Sequence, residues 1–215
     1  MNKGSNKEYV IAVDIGSPLN ESHFGWADSE GNNGITVATL KKAIEGKTFF
    51  SMGIEAPLFI PLSGELDDFT RARKFDGNRS WSVAAGAYTA TINLGFLARV
   101  LTLFVNKGIA VTTDREIWKA QNENCILIWE AFISRNESIA SEEENCSAGA
   151  STDDNRSGNI HIKDAQTALN SYQSTITIDT KDYLSLPLAI ANYVGLKTLV
   201  GKTGVVVVGN KGLLK

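Results

Sequence analysis

The sequence predicts an α/β protein on a mixed sheet, with an antiparallel three-strand meander, parallel strands after it, and helices on the faces. Two observations lead there. Near the N-terminus, three apolar runs are separated only by brief turn-rich loops, which allow hairpins. Farther along, apolar runs alternate with helix-length segments, as parallel crossovers require. The composition agrees: 215 residues, 43% hydrophobic and 21% charged, describe an ordinary globular chain long enough for one sizeable domain. Disorder throughout, collagen and coiled coil are excluded. A formal net charge of −3 argues against a protein that coats nucleic acid non-specifically, but leaves room for a local basic face.

Taken in order, Tyr9 to Val13 is a short apolar run ending at Asp14, with Gly16 and Pro18 behind it, and reads as a buried strand. His23 to Ala27 and Gly34 to Leu40 read as the second and third strands, joined by the turn-rich stretch Ser29 to Asn33. Lys41 to Gly46 is a short helix candidate, and Phe49 to Glu55 a fourth strand that Pro57 and Pro61 bring to an end. Pro61 to Ser82 is a polar loop carrying Arg71, Arg73, Lys74 and Arg79. Ala84 to Asn106 gives the longest helical pattern. Its apolar stretch contains Asn93 and Arg99, and a central charge costs roughly 2.5–3.5 kcal/mol in a bilayer, so a helix packed on the sheet is expected rather than a membrane span.

Cys125 to Trp129 is the fifth strand, running into Glu130. Residues 134–159 are polar and acidic, include Glu142, Glu143 and Glu144, and read as a flexible insertion. His161 to Gln173 and Leu184 to Val194 read as helices, and Val205 to Val208 as a strand; the part from about Thr175 onward reads as a helix and strand extension of a single domain. The two cysteines, Cys125 and Cys146, have neither metal-ligand spacing nor a disulfide framework, and the polar N-terminus lacks a signal-peptide core. A reducing cytoplasm is the expected setting.

Four acidic residues stand at the ends of these apolar elements: Asp14, Glu55, Glu130 and, in the first turns of a later helix, Asp164. Ligands of open α/β sheets gather at strand ends. Clustered carboxylates repel one another, and a hard divalent cation, Mg2+ or Mn2+, relieves that repulsion. His161 and Asp164, three residues apart, share one helix face.

These residues resemble a family. Ala12 to Ser17 followed by Phe24 to Ala27 is similar to the first hairpin of the RNase H-like nucleases, which include the RuvC-type resolvases. Gly53 to Pro57, Arg79 to Ser82 with Ala85 to Ala87, Trp129 to Phe132 and His161 to Ala165 resemble successive motifs of a predicted RNase H-like nuclease family of unknown function. The resemblance covers roughly residues 9–175.

It implies an RNase H-like fold and metal-dependent hydrolysis of a nucleic-acid phosphodiester. Asp14, Glu55 and Asp164 would be metal ligands, Glu130 an outer or second-metal ligand, and His161 a ligand or proton acceptor. Arg71, Arg73, Arg79 and Ser17 would meet the substrate, with nucleic acid the expected partner and no membrane. The alternative is a nucleotide-binding or regulatory module, with Asp14 to Ser17 as a phosphate turn, or a catalytically inactive relative.

Overall fold

A computed structural model of the chain describes residues 8–16, 23–62, 65, 72–73, 76, 81–82, 85–132 and 154–208. The first part of the chain runs β1 (Val10–Asp14), β2 (Gly25–Asp28), β3 (Asn33–Gly34), α1 (Val37–Ile44), β4 (Phe49–Ile54), β5 (Phe59–Pro61) and α2 (Ala85–Leu101). It continues with β6 (Ala110–Thr112), α3 (Arg115–Gln121), β7 (Cys125–Phe132) and α4 (Asp154–Ser171). Last come β8 (Thr175–Asp179), β9 (Tyr183–Ser185), α5 (Leu186–Tyr193), β10 (Lys197–Thr198) and β11 (Thr203–Val208).

The expected mixed sheet is present. Its path is β10-β6-β7-β4-β1-β2-β3, with β11 and β8 added beside β7. β1 pairs antiparallel with β2, β2 antiparallel with β3, and β1 parallel with β4, which in turn pairs parallel with β7. β1 is therefore an interior strand with a neighbour on each side, and Asp14 ends it. Strand β7 pairs β6 through Cys125–Leu127 and β11 through Glu130–Phe132, so the two strands share one of its edges.

Three stretches differ from the sequence expectation. Gly34 to Leu40 is not a strand beyond Gly34: the Thr36 side chain caps a helix by accepting from the amide of Thr39, and α1 buries Leu40 and Ile44, one turn apart. That cap outweighs the β-branched Ile35, Val37 and Thr39. β6 and α3 form between α2 and β7, where none was expected; Asp114 caps α3 by accepting from the amides of Glu116 and Ile117. The extension from Thr175 joins the main sheet through β8, β10 and β11, while β9 pairs with β5 in a separate two-stranded sheet that accommodates Pro61 at its end.

Side chains alternate across the strands and build two cores. On one face Ile11, Val13, Phe50, Met52, Ile54, Ile126, Ile128 and Val206 pack under α1, α2 and α5. On the other, Val10, Ala12, Leu127, Trp129, Val205 and Val207 pack under Trp118 of α3, Ala165 and Ala168 of α4, and Tyr172 just after it. Gly86–Phe104, α2 with the helical turn after it, is long and apolar enough to cross a membrane, yet Leu97, Val100 and Leu101 lie in the first core, as a helix packed on a sheet requires.

Asn93 occupies the same inward stripe of α2, three residues after buried Ala90 and four before Leu97. It is 0% exposed, and neither amide atom has a hydrogen-bond partner among the described residues. Leaving such an amide buried and unsatisfied costs about 1–3 kcal/mol, which an apolar side chain of similar shape avoids. Asn93→Leu is expected to raise the unfolding free energy by about that amount, read as a shift of the urea midpoint at constant slope.

A candidate metal centre at the end of the central strand

Asp14 lies in register with Gly25 on β2 and follows Val13, whose partner on β4 is Ile54. By strand alternation its side chain joins Val10 and Ala12 on the face covered by α4. The glycine opposite decides what reaches it. A Cβ on Gly25 would lie 2.4–2.7 Å from the backbone of His161 and Ile162, so only glycine lets α4 seat directly on β2. The close seat brings Nδ1 of His161 to 2.5 Å from Oδ2 of Asp14. The other carboxylate oxygen, Oδ1, accepts from the amide of Gly16 at 2.9 Å. Gly16 holds φ +54°, and a Cβ there would strike the His23 carbonyl and the His161 ring, so this turn also needs glycine.

Helix α4 presents His161, Asp164, Ala165 and Ala168 along one stripe, which Tyr172, just past its end, continues. The apolar members sink into the core with Trp129, whose ring centre is 4.9 Å from that of Tyr172, and leave His161 and Asp164 at the strand-end edge. Donor atoms of Asp14, His161 and Asp164 all lie within 4.8 Å of one another. Two carboxylates and an imidazole at that spacing fit the donor set of a divalent cation. Metal ligands must be deprotonated, so a cation here would take the place of the proton between Oδ2 and Nδ1.

The remaining expected residues are placed as follows. Glu55 follows β4 and donates its amide to the carbonyl of Val13 at 2.9 Å, which sets it next to Asp14 on the neighbouring strand, outside the group of three. Glu130 does not reach the site. It is in register with Ile54 and shares the alternation of Ile126 and Ile128, so its side chain enters the opposite face of the sheet from Asp14. There its Oε1 accepts from Nη2 of Arg73 at 2.6 Å, and its Oε2 from Nη1 of Arg73 and the amide of Leu58.

Arg73, expected to meet substrate, is instead buried, and every guanidinium N–H is spent. Nε donates to Asp76, Nη1 to the Phe59 carbonyl and Glu130, and Nη2 to Asp76 and Glu130. Arg71, Arg79 and Ser17 lie outside the described residues, as does most of the acidic insertion, residues 134–153.

His23 was not among the residues expected at the site. Its ring centre lies 5.4 Å from that of His161, although it stands outside the group formed by Asp14, His161 and Asp164. The signal was available in the hairpin, since folding β2 back on β1 brings the residues just before Gly25 near Asp14. Two other buried acids are structural. Burial alone would raise Asp114, but hydrogen bonds from Thr203, Ile117 and Glu116 hold it below the usual carboxylate range; Asp28 is held down likewise, mainly by Asn32. Both therefore stabilise the fold at neutral pH, and that contribution fades as acid protonates them. Burial pushes the Cys125 thiol up to about 12, which leaves it inert at neutral pH.

No family model, curated protein or solved structure matches the chain. The site therefore rests on its own geometry.

Breaking a buried ion pair by removing one partner typically costs about 3–5 kcal/mol. Glu130→Gln is expected to lower stability on that scale while leaving divalent-cation affinity unchanged, because its carboxylate serves Arg73 on the far face. Thermal unfolding and a cation titration on the same variant check both halves.

Proposed function

We propose that the protein is a divalent-cation-dependent hydrolase of RNase H-like type that cleaves a nucleic-acid phosphodiester. One observation carries the reading: Asp14, His161 and Asp164 gather within 4.8 Å at the carboxyl end of an interior strand. That strand is flanked by an antiparallel meander on one side and parallel strands on the other, the order the sequence motifs imply.

Asp14 and Asp164 bring two negative charges to the site, and His161 a nitrogen donor. Glu55 stands on the next strand, where its carboxylate can join the set or take a proton from water. A bound cation would supply Lewis acidity, lowering the pKa of a water and steadying charge on the phosphoryl oxygens. The Gly16 amide holds the Asp14 carboxylate in one orientation, and the close seat of α4 fixes His161 and Asp164 against it. The ion is Mg2+ or Mn2+ in this reading, and the setting a reducing cytoplasm, which accords with the free thiol of Cys125.

The test is cleavage of labelled single- and double-stranded DNA and RNA with Mg2+ or Mn2+ supplied. Asp14→Asn keeps the side-chain shape and removes one charge, so it is expected to reduce cleavage to background while the circular dichroism spectrum stays unchanged. Full cleavage by Asp14→Asn, or wild-type cleavage indifferent to a chelator, would overturn the reading.

A further inference from the structure

We propose that the outer face of α2, with α5 beside it, is where a second copy of this chain docks, the two α2 helices crossing antiparallel at Gly95. The proposal stands apart from the metal centre. α2 packs on the sheet face opposite α4, so pairing there leaves α4 uncovered in both copies.

Charge points to this face first. Surface helices of a globular protein ordinarily carry charge on the outer side. α1 exposes Lys41 and Lys42, and α3 exposes Glu116 and Lys119. α2 and α5 together hold 25 residues and one charge, Arg99, where the chain's 21% charged residues would put about five. Only 33% of the apolar stretch Gly86–Phe104 is buried within the chain. Tyr88 is 44% exposed, and Tyr193, which ends α5, is 83% exposed. The outward stripe of α2 runs through Tyr88, Thr91, Gly95 and Arg99 to Thr102 just after it. Both threonines already donate their hydroxyls to carbonyls of α2.

Gly95 then selects the occupant. Glycine weakens a helix interior relative to alanine. Gly16 and Gly25 are required by contacts inside the chain, but a Cβ on Gly95 would meet nothing within 4 Å among the described residues. Such a glycine has a use where another backbone comes close. A two-fold contact needs one patch that matches itself, and an antiparallel crossing at Gly95 provides it. It also accommodates the single charge. Arg99 is one turn from the centre, so the two copies of it stand roughly 12 Å apart along the helix axis. The partner's Tyr88 lies within about 5 Å of Arg99 along that axis, in reach of a cation–π contact.

The area suffices. α2 is roughly 26 Å long, and with α5 packed at about 10 Å, two such faces bury on the order of 1,000 Å2, the size of a specific interface. A lipid surface would instead select a helix flanked by rows of Lys and Arg, which α2 lacks.

The test is sedimentation velocity of the full chain over micromolar concentrations, on wild type, Gly95→Glu, Tyr88→Ala and, on α3, Lys119→Glu. Expected are a wild-type dimer, dimerisation at least tenfold weaker in both α2 variants, and no change in Lys119→Glu. Circular dichroism need be native in only one α2 variant for the comparison to hold. In a Cys146→Ser background, Gly95→Cys is expected to form a disulfide across the two-fold on mild oxidation, and Thr102→Cys to form none. A wild type that stays monomeric, or a dimer indifferent to both α2 variants, overturns the proposal. So does a monomer that floats with phosphatidylcholine vesicles, since lipid is then the occupant.

Discussion

Helix α4 lies on β2 at backbone contact because Gly25 has no side chain, and the chemistry at the strand ends follows from that one close approach. A methyl group at Gly25 would meet the His161 backbone below 3 Å and force the helix outward. His161 and Asp164 would move with it, since they project from the same face of the same helix. The anchor holding α4 down is apolar: Ala165, Ala168 and Tyr172 pack on Ala12, Trp129 and Val207. Small residues let helix and sheet approach, and the large Trp129–Tyr172 contact fixes the depth. The core thus positions the site.

Strand alternation sorts the acids. Asp14 and Glu130 both lie toward the carboxyl ends of parallel strands on either side of β4, yet they differ by one place in register and so face opposite sides of the sheet. On the α4 side a carboxylate meets histidine and a second carboxylate. On the other it meets Arg73, which spends all five donors on Glu130, Asp76 and the Phe59 carbonyl. Charge balance differs accordingly. Arg73 sets its positive charge and all five donors against Glu130 and Asp76, whereas Asp14 meets an imidazole and a backbone amide, which is why the proposed cation belongs on the α4 side.

The mixed sheet was legible because a short loop and a long crossover leave different marks on the sequence. Brief turn-rich loops after Asp14 and Ala27 required hairpins, and the long helical pattern before Cys125 required a crossover. Asp14 and the His161–Asp164 pair were legible from strand end and helix spacing. Glu130 misled because an acid near the end of an apolar run signals a strand end but not which face it occupies. That depends on the register with Ile54, and register is a property of pairing. Arg73 misled because its partners are 57 and 3 residues away, and only the folded chain makes it a buried clasp. The caps of α1 at Thr36 and of α3 at Asp114 stand among β-branched neighbours that favour extended backbone, so these two helices show themselves only in the folded chain.

In the proposed reading Asp14, His161 and Asp164 hold one ion between them. An anomalous difference map from crystals grown with Mn2+ tests it most directly, because the ion reports its own position. A bound ion is expected to give a single strong peak within coordinating distance of a carboxylate oxygen of Asp14, a carboxylate oxygen of Asp164 and a ring nitrogen of His161. A map with no peak there, or with the ion seated beside Glu130 in place of Arg73, would contradict it.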